Sequence, residues 1–370
     1  MAKVLVTGGA GFIGSFIVDE LVKEGNEVVI LDNLEPQVHQ GNTPDYINNS
    51  AKFVKGSVLD FELFKKTVED ADVILHQAAM VGVGQSMYQV SRYSSANVIG
   101  TAYLLDILAN EKHNVKKVLV AASMSSYGEG SYKCESCGIV SPPLRTEEQM
   151  KSKKWELICS CGKQLVPIPT PESKPLHPNS VYAITKQNQE QMVLTVCQAY
   201  GIPAVALRYF NVYGPRQSLS NPYTGVAAIF MSRIKNNNPP TIFENGGQSR
   251  DFVSVHDIVQ ANLLAMKSSA ADYEVLNVGS GAQTTIKNVA DTLIKLYGKE
   301  FVPQITSSFR KGDVRHCFAD ISKIKKLLNF EPKVSFEQGM QELIDWGSSQ
   351  KSDDKVDQAT QELRDKGLME

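Results

Sequence analysis

The N-terminal stretch Val4-Leu5-Val6-Thr7-Gly8-Gly9-Ala10-Gly11-Phe12-Ile13-Gly14 decides the fold. A short apolar run leads into the glycines, and an apolar pattern typical of a helix follows as far as Val22. The first glycine of such a turn permits the tight bend, the second lets the backbone approach a pyrophosphate, and the third lets the helix pack on the strand. Free N–H groups at the helix N-terminus would then face the phosphates. The spacing of Gly8, Gly11 and Gly14 therefore predicts a dinucleotide-binding turn.

A carboxylate follows the turn at a suitable distance. Asp32 ends the second apolar run, eighteen residues after Gly14. An acid at this place accepts hydrogen bonds from an adenosine ribose and repels a 2′-phosphate, so it favours NAD over NADP. The alternative interpretation is that Asp32 only begins a turn with Asn33.

The rest of the first two hundred residues alternates between short apolar runs and helical patterns. Apolar runs at 52–54, 73–75, 118–120 and 204–208 are separated by helical stretches at 61–70, 88–112 and 184–200. Short apolar strands separated by helices indicate crossover units and a buried parallel sheet. We expect an α/β protein with a Rossmann-type doubly wound parallel sheet.

Changes in this rhythm predict the domain organisation. Residues 1–128 and 176–212 form the Rossmann core, and residues 129–175, rich in proline and cysteine, form an insertion. Residues 213–347 mainly form a smaller α+β domain, although some of its strands and helices return to the core. The charged tail, 348–370, is expected to be a solvated helix or partly disordered.

Composition and charge exclude several classes of protein. The 370 residues contain 38 lysines and arginines against 40 acidic residues, for a net charge of −2. This balance lacks the basic footprint of a nucleic-acid-binding protein. No apolar run approaches the ~18 residues of a membrane span, and the N-terminal residues show no signal-peptide pattern. We expect a cytoplasmic protein with neither nucleic-acid nor membrane partners.

Three side chains suggest a proton-transfer site. Tyr182 and Lys186 lie four residues apart in a helical stretch, which places them on one helix face. A neighbouring ammonium and a cationic nicotinamide would both favour the phenolate and lower the pKa of the tyrosine. Ser123 ends the strand that begins near 118, and open α/β sheets bind ligands at the carboxyl ends of their strands. Its hydroxyl can therefore meet the tyrosine.

The insertion contains two cysteine pairs, each followed by glycine. Cys134 and Cys137 have the two-residue gap usual in zinc knuckles, whereas Cys159 and Cys161 are separated by one residue. Four thiolates from two turns suit a tetrahedral, structural zinc ion. Reduced thiols or crosslinks are the alternatives.

The motifs, in this order along the chain, resemble those of extended short-chain dehydrogenases/reductases, and more narrowly those of nucleotide-sugar epimerases and dehydratases. The resemblance covers most of residues 1–345 outside the insertion. It is carried by the glycine turn, Asp32, the Tyr182/Lys186 pair and the following motifs: His76-Gln77-Ala78-Ala79, Asn97, Ser123, Tyr127-Gly128 and Arg208-Tyr209-Phe210-Asn211.

The resemblance implies roles for individual residues. Tyr182 would be the general base, Lys186 would anchor the nicotinamide ribose, Ser123 would hydrogen-bond the sugar, and Asn97 would lie on a helix beside them as a catalytic residue. Asn211, Arg250 and Arg310 would hold the substrate's diphosphate end. The NAD contacts would be Gly8, Gly11, Phe12, Ile13, Gly14, Asp32, Asn33, Ser57, Val58, Gln77, Ala78, Ala79, Tyr182 and Lys186. Ser57 departs from the family, which usually has an aspartate that contacts the adenine. The family also implies a homodimer formed through stretches 88–112 and 184–200.

The residues after Ser123 distinguish between possible reactions. Related dehydratases carry an Asp-Glu pair there, whereas this chain has Met124 and Ser125. Without carboxylates there is no acid/base pair for eliminating water, and the pattern is compatible with 4-epimerisation through a 4-keto sugar. The segment 221–230 and the insertion resemble the dTDP-L-rhamnose 4-epimerase branch, with UDP-glucose or UDP-glucuronate as alternative substrates. A net NAD-dependent reductase and a non-catalytic dinucleotide-sensing scaffold are the other hypotheses.

Overall fold

A seven-stranded sheet forms the centre of the computed structural model, which describes residues 1–370. The strands are β1 (Lys3–Thr7), β2 (Glu27–Asp32), β3 (Lys52–Lys55), β4 (Val73–His76), β5 (Lys117–Ser123), β6 (Ser131–Cys134), β7 (Gly138–Val140), β8 (Val166–Ile168), β9 (Ala204–Tyr209), β10 (Asn211–Tyr213), β11 (Thr241–Ile242), β12 (Ser249–Arg250), β13 (Phe252–Ser254), β14 (Val275–Val278), β15 (Thr284–Thr285), β16 (Gln304–Ile305) and β17 (His316–Cys317).

Fourteen α-helices surround the strands. They are α1 (Phe12–Lys23), α2 (Pro36–His39), α3 (Phe61–Val68), α4 (Val83–Ser86), α5 (Val90–Tyr93), α6 (Gly100–Asn110), α7 (Glu147–Lys151), α8 (Val181–Ala199), α9 (Val226–Lys235), α10 (Val255–Lys267), α11 (Ile286–Leu296), α12 (Ser322–Leu328), α13 (Phe336–Ser348) and α14 (Val356–Asp365). A π-helical turn, Ser94–Ile99, joins α5 to α6. Short 3₁₀ turns occupy Met124–Tyr127 and Ser269–Ala271. None of the helices is both long and apolar enough to cross a membrane.

The central sheet has the order β14-β9-β5-β4-β1-β2-β3, and every neighbouring pair is parallel. The predicted doubly wound parallel sheet is therefore confirmed. The strand order reverses between β1 and β4, which is the place where such sheets bind ligands. β14 comes from the second half of the chain, so the later segments complete the sheet.

Alternating side chains of each strand enter two different hydrophobic cores. Val4 and Val6 pack with Ile17 of α1 and Ile258 of α10 on one face of the sheet. Leu5 packs on the other face in a cluster that also contains residues of α3, α6 and α8. Because both faces are covered, the strands are apolar throughout, as in other parallel sheets. The glycine turn and Ser123 are thereby fixed at one rigid edge.

The remaining segments form two smaller units. Helices α9, α11 and α13 share a third core of 17 buried residues. Within the insertion, β7, β6 and β8 form an antiparallel sheet over a core of five buried residues, two of which are cysteines.

Candidate active site

A cavity of about 810 Å³ opens at the carboxyl ends of β1, β2, β4 and β5. Its walls include the predicted cofactor, substrate and proton-transfer residues except Asn97, among about seventy lining residues in all. The predicted residues on the wall are Gly8, Gly11, Phe12, Ile13, Gly14, Asp32, Asn33, Ser57, Val58, Gln77, Ala78, Ala79, Ser123, Tyr182, Lys186, Asn211, Arg250 and Arg310.

The glycine turn has no space for side chains. Gly8 has a φ of +70°, and a Cβ built on it would lie 2.8 Å from the backbone nitrogen of Ala78. A Cβ on Gly14 would lie 2.2 Å from the carbonyl oxygen of Gly8. Gly11 precedes α1 without any side-chain cap, so the first N–H groups of the helix are available to an anion. The turn therefore fits the pyrophosphate of a dinucleotide.

Asp32 serves both interpretations made from the sequence. One carboxylate oxygen accepts a hydrogen bond from the backbone N–H of Leu34 at 2.8 Å, so the residue does begin a turn. The other accepts from the N–H of Ala10 at 3.0 Å and ties the end of β2 to the glycine turn. Because each carboxylate oxygen has a further lone pair and Asp32 lines the cavity, it also fits a ribose.

Ser123, Tyr182 and Lys186 meet where β5 ends beside α8. Ser180 caps the N-terminus of α8 by accepting from the N–H of Ala183 at 3.1 Å. The N–H of Tyr182 donates to Ser86 Oγ at 3.0 Å, which docks the first turn of α8 against α4. Packing and capping therefore hold the phenol ring in place at the wall of the cavity.

The electrostatics of this group follow from burial. Burial raises the pKa of Tyr182, and the hydrogen bond with Ser123 opposes that rise. Burial lowers the pKa of Lys186 to about 7. The lysine ammonium donates to the carbonyl of Ala121 at 2.9 Å, and its other protons can serve a ligand. Met124 and Ser125 line the cavity beside Ser123, and Ser125 Oγ donates to Ser123 Oγ at 2.9 Å.

Asn97 differs from the expectation for a catalytic residue because it does not line the cavity. It lies fully buried in the π-helical turn. Its Oδ1 accepts from the N–H of Met80 at 2.7 Å, and its Nδ2 donates to the carbonyl of Met80 and to Thr185 Oγ1. With its amide occupied, Asn97 positions the Met80 backbone and α8. Irregular π-turns are frequent near functional sites.

Two arginines converge on one carboxylate at the far end of the cavity. Arg310 donates to Asp313 at 2.9 Å, and Arg250 lies 3.4 Å from the same carboxylate. Burial would raise the pKa of Asp313, but Arg310 and Arg250 outweigh it and the pKa lies below its usual value. Two guanidinium groups and one carboxylate leave a positive charge, which suits a diphosphate.

Unpaired polar atoms in the cavity wall also point to a ligand. Asn211 Oδ1 is buried and has no hydrogen-bond partner. The same holds for Gln217 Oε1, Thr241 Oγ1 and Gln248 Oε1, all from residues that line the cavity. Buried polar atoms are rarely left unsatisfied, so these are candidate substrate contacts. Apart from Asn211, the sequence offered no signal for them, because no local motif marks them.

The C-terminal tail contains the expected helix, α14, whose polar face is exposed. The contact of its other face was not expected, since Val356, Ala359, Thr360 and Leu363 line the cavity. The following residues pair with the backbone of the substrate region, where Phe309 and Glu370 exchange hydrogen bonds of 2.9 and 3.0 Å. The polar face of α14 was visible in the sequence, whereas the partner of its apolar face was not.

The four clustered cysteines lie together as the spacing predicted. One ligand atom from each of Cys134, Cys137, Cys159 and Cys161 lies within 4.8 Å of the others. None forms a disulfide. Gly138 and Gly162, which follow the two pairs, have φ values of +77° and +87°. The N–H of Cys161 is the main cause that lowers the pKa of Cys159 to about 6. A tetrahedral zinc tetrathiolate has sulfur–sulfur distances of about 3.8 Å, so the cluster fits such an ion.

Comparison with known proteins finds two family models that match this chain. The model of the NAD dependent epimerase/dehydratase family matches residues 4–153, and that of GDP-mannose 4,6 dehydratase matches residues 162–343. A dTDP-L-rhamnose 4-epimerase of Burkholderia thailandensis is 35% identical over 93% of this chain and 94% of its own length.

Two solved structures extend the likeness to three dimensions. The UDP-glucose 4-epimerase of Thermotoga maritima, in complex with UDP-glucose, has a TM-score of 0.77 and 32% identity, covering 94% of this chain and 98% of that one. The UDP-glucuronic acid 4-epimerase of Bacillus cereus, in complex with UDP-glucuronic acid and NAD, has a TM-score of 0.73 and 28% identity, covering 93% and 98%.

Proposed function

Because the chain belongs to the NAD-dependent epimerase/dehydratase family, we propose that it interconverts nucleotide sugars that differ in configuration at C4. One observation carries this choice within the family. Ser123, Tyr182 and Lys186 converge on the cavity, while the residues after Ser123 provide no carboxylate. The acidic side chains of the cavity wall lie elsewhere: Asp32 supports the glycine turn, Glu35 is paired with Arg92, and Asp313 holds the arginines.

Each of the three residues has its own role in the proposed reaction. Bound NAD would supply a hydride acceptor and donor at C4. Tyr182, as the phenolate, takes the proton of the C4 hydroxyl, and Ser123 hydrogen-bonds the same oxygen. The 4-keto sugar turns over in the cavity, and Tyr182 returns its proton to the oxygen. Lys186, in its protonated form, stabilises the phenolate through its charge and would contact the nicotinamide ribose of bound NAD. No net oxidation or reduction results.

The diphosphate of the substrate belongs at the other end of the cavity. Arg250 and Arg310 supply the charge there, and Asn211 supplies an amide whose oxygen has no partner. The leading substrate is dTDP-L-rhamnose, because the relative from Burkholderia thailandensis is named for it. UDP-glucose and UDP-glucuronate are the alternatives, since the two solved structures hold them.

The decisive experiment is an incubation with dTDP-L-rhamnose, UDP-glucose and UDP-glucuronate in parallel, without added NADH, followed by NMR of the C4 proton. Formation of a C4 epimer is expected for one nucleotide sugar. A reaction that begins only with NADH and consumes it stoichiometrically would instead establish a reductase. Tyr182→Phe is the matched control, since it keeps the ring and removes the proton acceptor.

The four-cysteine cluster is a structural zinc site in this proposal. Its closed set of four thiols leaves no open position for a substrate, and reduced thiols fit a cytoplasmic protein. Elemental analysis of the purified protein should find one zinc ion per chain. A protein that is free of zinc contradicts the assignment.

The functional assembly is proposed to be a homodimer through stretches 88–112 and 184–200, which contain α5, the π-helical turn, α6 and most of α8. Large apolar side chains are exposed on these segments, where Val90, Ile99 and Ile184 are each more than two-fifths exposed. These exposed apolar side chains are the support for the proposed interface. Light scattering should give twice the chain mass of 40.7 kDa, and Ile184→Lys should shift the mass to that of one chain.

A further inference from the structure

Segment 313–316 joins the insertion to the diphosphate end of the cavity. Glu129, at the start of the insertion, is buried and accepts hydrogen bonds from the backbone N–H groups of Arg315 and His316, at 2.7 and 3.3 Å. Tyr132, two residues before the first cysteine, donates to the same carboxylate at 2.8 Å. One strand of the cysteine cluster is thereby fixed to this segment.

The second cysteine pair reaches the same segment through a side chain. Glu156 lies three residues before Cys159. One of its oxygens accepts from Arg315 Nε at 3.1 Å and from another nitrogen of that guanidinium, and the other lies 3.0 Å from His316 Nε2. Arg315 is one of the largest fully buried side chains in the protein, so its position depends on these partners.

The segment in turn holds the arginine that faces the cavity. Arg250 donates to the carbonyl oxygens of Val314 and Arg315, at 2.6 and 3.2 Å. A second path runs through Arg145 of the insertion, which donates to the carbonyl of Asp313 at 3.0 Å and forms a buried, bidentate pair with Glu244. Glu244 also accepts from Arg315 at 2.8 Å.

The insertion cannot maintain this arrangement by packing alone. Its buried apolar residues fall into two small groups: a core of five, two of them cysteines, and Met150 with Trp155, which pack on Phe309. A core of this size is far too small to stabilise a fold without a metal or crosslink. Metal binding to the thiols would supply the missing free energy, as in other small metal-dependent units.

We propose that the metal held by the four cysteines controls affinity for the nucleoside diphosphate part of the substrate, by holding Glu156 and Glu129 against the segment that positions Arg250. The inference rests on the proposed function and on the zinc assignment. The dinucleotide turn follows β1 at the carboxyl ends of the central strands and makes none of the contacts described above. NAD binding should therefore be independent of the metal.

The test is calorimetric titration of the purified protein with dTDP and with UDP, together with its zinc and NAD content. Cys137→Ser removes a ligand and should lose the zinc. Glu156→Gln should keep the zinc but weaken the link to Arg315, because it removes the negative charge that faces the guanidinium. Both variants should bind the nucleoside diphosphate at least fivefold more weakly, with unchanged NAD content. Glu135→Gln is the matched control in the same turn, because Glu135 pairs only with the exposed Lys163; its affinity should stay within twofold.

The outcomes separate this inference from the proposed function. Unchanged affinity in Glu156→Gln overturns the coupling, and Glu156→Gln decides the matter if Cys137→Ser does not fold. Absence of zinc from the unmodified protein also overturns it. A protein that binds neither dTDP nor UDP refutes the nucleotide-sugar site itself, and the coupling with it.

Discussion

The substitution Gly14→Ala tests the dinucleotide turn directly, because the structure leaves no space for one methyl group. A Cβ at this position would lie 2.2 Å from the carbonyl oxygen of Gly8 and 2.8 Å from the Cα of Gly9. Both atoms belong to the backbone of the turn, so no flexible side chain can move aside. Non-bonded carbon contacts are comfortable at about 3.5 Å, and α1 must therefore move from the turn by about 1 Å.

The size of the effect follows from that displacement. Overpacking of this kind costs about 1–3 kcal/mol and sometimes more, and a backbone-on-backbone clash belongs at the upper end. In the proposed NAD site, the movement would also carry the N–H groups of Phe12 and Ile13 away from the phosphates of the cofactor. Losing two hydrogen bonds to a charged group, each contributing about 1.5–3 kcal/mol, weakens NAD binding by at least a hundredfold.

The assay is the NAD content of the purified protein and its affinity on titration. Gly25→Ala is the control for a glycine without a steric clash, since no atom lies within 4 Å of its built Cβ; unlike Gly14, which lies within α1, Gly25 has a positive φ of +82°. That control should cost about 1–2 kcal/mol from backbone strain and leave NAD binding unchanged. If Gly14→Ala binds NAD within threefold of the unmodified protein, the packing argument fails.

Three further changes have defined outcomes. Tyr182→Phe should lower kcat by about 10²–10⁴ while NAD content and melting temperature stay the same, and residual activity within tenfold would contradict its assignment as the base. Leu363→Ala should raise KM for the nucleotide sugar about three- to tenfold with little effect on kcat. The reason is that Leu363 closes the gap to the opposite wall, where a Cβ built on Gly84 would lie 3.3 Å from a Leu363 methyl. Steady-state kinetics that give an unchanged KM would show that α14 is not part of the site. The hydrogen bond with His316, together with Arg315, lowers the pKa of Glu156 from 4.5 to about 2. The ionised Glu156 carboxylate therefore contributes fully to the stability of the folded protein above pH 4.5, and this contribution is lost as the pH falls towards 2. Melting curves should therefore show the largest difference between the unmodified protein and Glu156→Gln near pH 6, and the difference should shrink below pH 4.

The predictable part of the site is the part encoded locally. Gly8, Gly11 and Gly14 lie in the turn between β1 and α1 and in the first turn of that helix, and Asp32 ends the adjacent strand β2. Their spacing along the chain is set by the geometry of this one strand–turn–helix–strand unit. Tyr182 and Lys186 lie one helical turn apart, so a single helix brings them together. Sequence patterns of this kind predict the parallel sheet and the position of the dinucleotide turn without knowledge of distant contacts.

The remaining features depend on distant segments that meet only in the folded chain. The amide of Asn97 is occupied by Met80 and Thr185, and nothing around residue 97 reveals those partners. The charged tail could be expected to form a helix, but its contact with the cavity is made with distant residues such as Tyr223, whose hydroxyl donates to Glu362 at 2.7 Å. Gln248, with its unpaired oxygen, likewise belongs to no motif.

The cover that α14 places over the cavity has a consequence for the working lifetime of the enzyme. The helix is attached to the cavity wall, where Leu363 lies beside Gly84 and Glu362 accepts a hydrogen bond from Tyr223, and outside the cavity by an ion pair between Asp357 and Arg233. In the proposed reaction, a keto sugar that escapes between the two hydride transfers would leave the cofactor reduced, and the enzyme could not begin another cycle. A covered site makes such leakage rare, so α14 should matter most for the number of turnovers that each molecule completes before it stalls.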